Sequence, residues 1–329
     1  MFTFIFVTIM RTPNEKAAFV AVPSYNHRPF VEECLRSIFR QTLPPAKLLV
    51  IDDGSRDGSA EAIEEVLRDA PFEAELIARE NRGLSATLNQ ALSQADTPFF
   101  AYLGSDDLWL PNFLEEQIGL LDVRKEAALA FSHVYVIDGE GDIFDRTDKW
   151  AEFADGDMLP TLMTGGIFSS PGVVYRREFL GDAAWNERSK LEDYELYLRL
   201  AAKHEFARNT KLLAAWRQHG SNTSDDFALM VEEWLAAQER LRGELPYSDE
   251  EFEAFRTKLR YAAARHFNRT GSRRLAARAM WQNRKGASSV TEKALDAIRV
   301  AAPRRLFDAQ RKRRRDSAKR RYGNISELL

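Results

Sequence analysis

The sequence predicts an α/β protein with a mainly parallel central sheet, followed by an α-helical region. Short apolar runs of strand length alternate with helical patterns of about ten to fifteen residues, the order of successive βα units. Three of those runs, VAVPSYN (Val20 to Asn26), LLVIDDGSRDGS (Leu48 to Ser59) and PFFAYLGSDDLWLP (Pro98 to Pro111), end in polar clusters. Ligand sites in open α/β sheets lie beyond such strand ends. From Phe227 onward the strand-like runs cease and only helical patterns remain.

Taken in order, Ala18 to Pro23 is predicted as a buried strand, with a helix from about Pro29 to Gln41. Leu48 to Ile51 is the second strand, and DGSRDGS turns into a helix over Ser59 to Leu67. Ala74 to Ala78 and Phe99 to Leu103 are strands on either side of a helix from Leu84 to Ala95. Ala127 to Ile137 is a long apolar strand, and GEGD (Gly139 to Asp142) is a hairpin turn. Pro171 to Tyr175 and KLLAAW (Lys211 to Trp216) are further strands around a helix from Leu191 to Lys203. The globular unit is expected to close near Thr223. Met230 to Arg242, Asp249 to Thr270 and Arg273 to Arg284 read as helices, the last two separated by Gly271 as in a helical hairpin.

These readings divide the chain into an N-terminal extension (1–17), an α/β domain (18–224), a helical region (225–302) and a basic tail (303–329). The tail, with RKRRR, KRR and few apolar anchors, is expected to be partly disordered or bound to a surface.

Hydrophobic residues make up 44% and charged residues 29% of the 329, ordinary values for a globular protein. The single cysteine, Cys34, excludes an intramolecular disulfide and a cysteine-rich zinc site and fits a reducing compartment. Its helical spacing with Val31 and Ile38 makes it a buried small side chain. The opening MFTFIFVTIM is apolar, but a membrane span needs about 20 such residues, and a basic n-region and cleavage site are missing. A cytoplasmic protein is therefore expected. The net charge of −3 hides a division: residues 256–329 hold 22 Lys and Arg against 5 Asp and Glu, a net of +17, and the rest is acidic. Such asymmetry suggests an anionic partner for the tail.

Several clusters could carry chemistry. Tyr25 of Pro23-Ser24-Tyr25-Asn26 can stack on a base while Asn26 bonds its edge, although an ordinary polar turn explains the tetrapeptide equally well. Asp52 and Asp53, before Gly54, can accept from a uracil-like N–H or a ribose hydroxyl, and DG and GS are also common turn pairs. Asp106 and Asp107 at a buried strand end can hold a hard divalent cation; an N-cap role accounts for one acid and leaves the other unexplained. Glu192 and Asp193 open an amphipathic helix, where a carboxylate faces the positive end of the dipole and could act as general base or merely cap. Arg217 could pair with phosphate and His219 with a metal or diphosphate, against a structural role for both. No G-x-G-x-x-G, Walker A, HExxH or G-x-S-x-G motif occurs.

In this order the segments VAVPSYNHRPFVEECLRSIFRQT, LLVIDDGSRDGS, NRGLSATLNQAL, FFAYLGSDDLWLP, LEDYELYLRLA and WRQHGSNTS resemble the family 2 glycosyltransferases, which have the GT-A fold. The resemblance implies that Pro23, Tyr25 and Asp53 hold the nucleotide, supported by Asn26, Asp52 and Ser105. It assigns Mn²⁺ or Mg²⁺ to Asp106, Asp107 and His219, and the donor diphosphate to Arg82 and Arg217. The family's D-x-D motif reads Gly104-Ser105-Asp106 here, without its first acid. Asp193 is implied as the base of an inverting displacement, with Glu192 on the acceptor side. The implied donor is a nucleotide-diphosphate sugar, a UDP-sugar first, and the acceptor a glycan or lipid-linked hydroxyl in cell-surface polysaccharide or glycoconjugate synthesis. Acceptor contacts are expected from Trp150 to Ser170 and the C-terminal helices. The tail is expected to bring the enzyme to the anionic inner face of the cell membrane, and no specific nucleic acid is expected. The rival readings are a catalytically degenerate nucleotide-sugar-binding module, which Gly104 invites, and a nucleic-acid-binding protein acting through the tail. A pyrophosphorylase-like nucleotidyltransferase lacks its glycine- and basic-rich phosphate loop here.

Overall fold

The structure, a computed structural model, describes residues 18–150, 153–220, 226–270, 273–301 and 304–329. The MFTFIFVTIM run, the domain limit near Thr223 and the helix break at Gly271 lie outside the described residues.

The first part is a series of βα units: β1 (Ala18–Ser24), α1 (Val31–Phe39), β2 (Lys47–Asp52), α2 (Ser59–Leu67), β3 (Ala74–Ala78), α3 (Leu84–Ser93) and β4 (Phe99–Tyr102). Successive side chains of a strand point to opposite faces, which divides these strands between two cores. Phe19, Ala21, Leu49, Ile51, Phe100 and Tyr102 enter one. Val20, Val22, Leu48, Val50, Phe99 and Ala101 enter the other. A sheet that is apolar on both faces requires helices on both. Val31, Leu35 and Ile38 of α1 cover the second face, and Leu88, Ala91 and Leu92 of α3 cover the first. Each such side chain, fully buried, contributes about 1.5–3 kcal/mol.

The second part runs β5 (Leu108–Trp109), α4 (Phe113–Val123), β6 (Ala127–Ile137), β7 (Ile143–Arg146), α5 (Leu159–Met163), β8 (Val173–Arg176), α6 (Glu192–Ala201) and β9 (Glu205–Arg217). Five helices follow: α7 (Phe227–Arg240), α8 (Asp249–Thr270), α9 (Arg273–Gln282), α10 (Val290–Ala301) and α11 (Arg304–Tyr322). The sheet order is β3-β2-β1-β4-β8-β6-β9-β5, with β7 beside β6. Pairing is parallel across β3-β2-β1-β4 and between β6 and β9, while β8 runs antiparallel to β4 and β6. After β1 the chain builds outward to β2 and β3, then returns to place β4 on the other side of β1. That reversal puts a crevice at the carboxyl ends of β1 and β4.

The helices α7 and α8 add Val231, Trp234, Ala237, Phe252 and Leu259 to the core that α6 and the sheet share. On α10 the usual polarity is reversed. Val290 and Ile298 are 80% and 64% exposed, whereas Asp296 is fully buried against Arg265 of α8. No helix of the described residues is long and apolar enough to cross a membrane.

The tail, expected to be partly disordered or surface-bound, forms α11 and a short segment fastened to the β6–β7 hairpin that GEGD closes. Ile143 N–H donates to Gly323 O at 3.0 Å, and Ile325 N–H to Gly141 O at 2.9 Å. Ile325 is buried among Leu108, Ile137, Ile143 and Ala215, and Lys319 bridges Asp138 and Asp142. Composition shows the charge of this segment but not main-chain pairing across nearly two hundred residues.

Candidate active site

Two loops meet beyond β1 and β2. Asn26 adopts φ +55°, a left-handed conformation that asparagine tolerates better than most residues. There its N–H donates to Ser55 Oγ at 2.8 Å and its Oδ1 accepts from Arg56 N–H at 2.9 Å, tying PSYN to DDGS. Tyr25 remains half exposed at the mouth of the cleft. Asp53 is buried and its carboxylate accepts from the N–H groups of Arg82 and Gly83 and pairs with Arg79 at 2.8 Å. This fixes the Asn81–Gly83 loop as one wall of the cleft. Gly54, at φ +84°, lies so close to that loop that a Cβ would meet Asn81 N at 2.9 Å.

Beyond β4, Asp106 is joined by two imidazoles. His219 Nε2 lies 2.9 Å from Asp106 Oδ2, and His27 Nδ1 lies 3.7 Å from Asp106 Oδ1 and 2.8 Å from Ser105 Oγ. One donor atom from each of His27, Asp106 and His219 falls within 4.8 Å of the others, a set that fits a divalent cation. Phe30 stacks on His219 with centroids 4.9 Å apart and holds the ring in place. Burial, the largest influence, pushes the Asp106 carboxyl up, but the His219 hydrogen bond and the nearby His27 outweigh it and keep it below the usual carboxylate range. Burial lowers His27 and so favours the neutral imidazole that a metal requires.

Gly104 has a steric reason. A Cβ there would stand 2.9 Å from Asp106 Oδ1 and 3.3 Å from Asp107 Oδ2. The place of a first D-x-D acid is thus filled by the two carboxylates already present. Gly104→Asp, which restores the motif in sequence, is expected to weaken Mn²⁺ binding and lower the melting temperature. Calorimetry with Mn²⁺ and a thermal melt check this; tighter metal binding would contradict it.

At the start of α6, Asp193 and Glu192 line the same cleft, half-buried. Burial, then the charge of Glu192, raises the Asp193 carboxyl well above its ordinary value. Burial likewise raises Glu192, whose Oε1 accepts from Tyr102 O–H at 3.4 Å. Arg82 is exposed at the cleft wall, and Pro23 and Ser105 also face the cavity.

Three residues expected in the site are turned to other work. Asp52 accepts from Ser55 N–H and O–H, at 3.0 and 2.5 Å, and closes its own turn outside the cleft lining. Asp107 lines the cavity but falls outside the His27–Asp106–His219 group, and its Oδ1 accepts from Arg217 N–H at 2.8 Å; burial, then the Asp106 charge, raises it well above the carboxylate range. Arg217 is 1% exposed and lies beneath the site, where it donates to Asp106 O, Asp138 O and Gly139 O and pairs with Glu33 at 2.6 Å. It braces the loop that carries Asp106 rather than facing the cavity. His27 was missed: it follows PSYN directly, but only its nearness to Asp106 and His219 marks it. Cys34 is buried, as its spacing predicts, and its thiol donates to Gly104 O at 3.5 Å.

A parallel βα half with its crevice at the β1/β4 reversal, opening onto a mixed half with an acidic pair on α6, defines a GT-A type fold. The chain belongs to glycosyl transferase family 2, whose family model matches residues 19–182. Among curated relatives, it is 26% identical over 165 residues to the uncharacterized glycosyltransferase alr2836 of Nostoc, covering 49% of this chain and 51% of that protein. It is 25% identical over 216 residues to chondroitin synthase of Escherichia coli, covering 62% of this chain and 29% of the synthase. TuaG of Bacillus subtilis, provisionally named a teichuronic acid biosynthesis glycosyltransferase, is 28% identical over 184 residues, covering 56% of this chain and 71% of TuaG. The chain thus spans about half the length of the first relative and under a third of the second. Two solved structures share the fold. S. aureus TarS 1–349 with UDP-GlcNAc has a TM-score of 0.57 at 15% identity, covering 82% of this chain and 89% of that one. The mannosyltransferase PcManGT of Pyrobaculum calidifontis with GDP-Man and Mn²⁺ has a TM-score of 0.57 at 17% identity, covering 94% and 88%.

Proposed function

We propose that this protein is an inverting glycosyltransferase that moves a sugar from a nucleotide-diphosphate sugar, a UDP-sugar first, to an acceptor hydroxyl. The observation that carries this is a single cleft lined by Tyr25, Asp53, Asp106, His219 and Asp193. Tyr25 offers its ring to the base, and Asp53 holds the Arg82–Gly83 backbone around it, leaving the Arg82 side chain to meet the diphosphate. Asp106, His27 and His219 would hold the cation. Two imidazoles among three donors favour Mn²⁺ over Mg²⁺, which prefers oxygen. A cation held there would supply positive charge to stabilise the departing nucleoside diphosphate. Asp193 takes the acceptor proton as the acceptor oxygen bonds to the anomeric carbon and the bond to the diphosphate oxygen breaks. Glu192 and Tyr102 set its surroundings on the acceptor side. No enzyme nucleophile is required, so the configuration inverts.

The two solved neighbours are complexes with UDP-GlcNAc and with GDP-Man and Mn²⁺, which supports the donor class. The relatives named for chondroitin and teichuronic acid support a glycan or lipid-linked acceptor in polysaccharide synthesis. In this reading residues 18–224 carry the donor chemistry, and the helical region and tail frame the acceptor. Nucleotide release from a panel of UDP- and GDP-sugars, with Mn²⁺, Mg²⁺ or chelator, tests it. Release from one UDP-sugar, strongest with Mn²⁺, is expected. No release from any donor, together with no calorimetric UDP affinity, would overturn it.

A further inference from the structure

The cleft encloses about 2430 Å³, against the roughly 300–1,000 Å³ of a site that buries one small ligand. Space therefore remains beyond a donor, and α11 walls it. Arg311, Arg314, Arg315, Ala318 and Tyr322 all face the cavity, at the spacing of one helical face. That face is held in place. Arg315 lies over the Phe144 ring at 3.7 Å and Arg146 over the Tyr322 ring at 5.2 Å, and the Gly323 and Ile325 main chains are bonded to the β6–β7 hairpin.

The two ends of the cavity differ in charge. Asp53 and Asp106 line the proposed donor side, with Glu192 and Asp193 at the reaction centre next to it. At the hairpin and α11 the lining acids Asp145, which accepts from Trp150 Nε1 at 2.9 Å, and Asp308 are outnumbered by Arg146, Lys149, Arg311, Arg314 and Arg315, while Asp148 pairs with Arg146 and Lys149. Arg311 and Arg314 have no ion-pair partner among the described residues. Guanidinium groups at a cleft wall match the two-pronged geometry of phosphate or carboxylate oxygens.

We infer that α11 is the acceptor wall and that it selects a polyanionic acceptor, a chain bearing repeated phosphodiester or carboxylate groups. Its charges rest on Arg311 and Arg314 while its terminal hydroxyl reaches Asp193; this rests on the glycosyltransferase reading above. A bilayer is the weaker occupant for these arginines. Among the described side chains, exposed apolar groups able to enter lipid include Trp281, Val290 and Ile298, which lie on α9 and α10.

The test uses the full chain and fluorescent oligomers of matched length: glycerol phosphate, hyaluronan, and a neutral dextran. Anisotropy is expected to show one anionic oligomer bound at least about tenfold more tightly than dextran, with binding weakened by salt. Arg311→Glu/Arg314→Glu is expected to lose about tenfold or more, and Arg311→Lys/Arg314→Lys less, with UDP affinity unchanged in both. The better oligomer identifies the anionic group. Equal binding of dextran, or an unaltered double Glu variant, would overturn the assignment. So would binding to phosphatidylglycerol vesicles, lost in the Glu variant, when neither oligomer binds. Absence of UDP binding with oligomer binding intact would count against the donor reading and not against this wall.

Discussion

Asp193→Asn is expected to lower sugar transfer by about two to four orders of magnitude, the usual contribution of a general base, while UDP affinity stays unchanged. The variant keeps the shape of the carboxylate, so the loss isolates proton removal. Turnover within about tenfold of the parent would send the search for the base elsewhere. Because burial and then Glu192 raise Asp193 well above the usual carboxylate range, the acid limb of transfer should lie at higher pH than for an ordinary aspartate. The same shift governs stability. Between the ordinary carboxylate value and the raised folded one, the native state holds a proton the unfolded chain has released, so stability falls as pH rises through that window. Asn carries no such charge. The variant is therefore expected to melt higher than the parent at about pH 8 and level with it at about pH 3, below the ordinary aspartate value. Equal melting at both would show that Asp193 is not perturbed.

Asp106→Ala is expected to remove the Mn²⁺ dependence of UDP binding. Loss of a group that only orients a ligand commonly costs about 10–100-fold in metal affinity, and a direct ligand should cost at least that. His27→Ala should move binding in the same direction. Asp107→Asn should leave it within about threefold, because that side chain bonds to Arg217 N–H and not to the metal-donor cluster. Calorimetry of UDP with and without Mn²⁺ separates the three. Retained metal dependence in Asp106→Ala, with loss in Asp107→Asn, would exchange their roles.

The parallel half of the fold was legible because β1, β2 and β4 are apolar on both faces and end in turn-forming polar residues. The two residues of β5 and the four of β7 were not, since neither run is long enough to show a period. Asp106 could be read from its place after an apolar strand. Its partner His219 lies 113 residues away, and His27 belongs to a different loop; their meeting depends on how Phe30 packs. Arg217 shows the converse. An arginine near a polar strand end looks like a phosphate ligand, and only its burial reveals a brace. Charge density concealed the docking of α11, because Tyr322 and Ile325 are two apolar anchors in a segment dominated by Lys and Arg.

The fastening of α11 to the β6–β7 hairpin also has a meaning in time. The hairpin is complete at Arg146, and the residues that close on it, Gly323 and Ile325, follow about 180 positions later. At roughly 5–20 residues per second, a ribosome supplies them roughly ten to forty seconds after the hairpin emerges. We therefore expect arrested nascent chains to resist protease through β9 before the hairpin gains its last partner; simultaneous protection of both would refute this order. On that order a nascent chain would complete the proposed donor cleft before it has the wall proposed to choose an acceptor, and translation itself would keep the two apart.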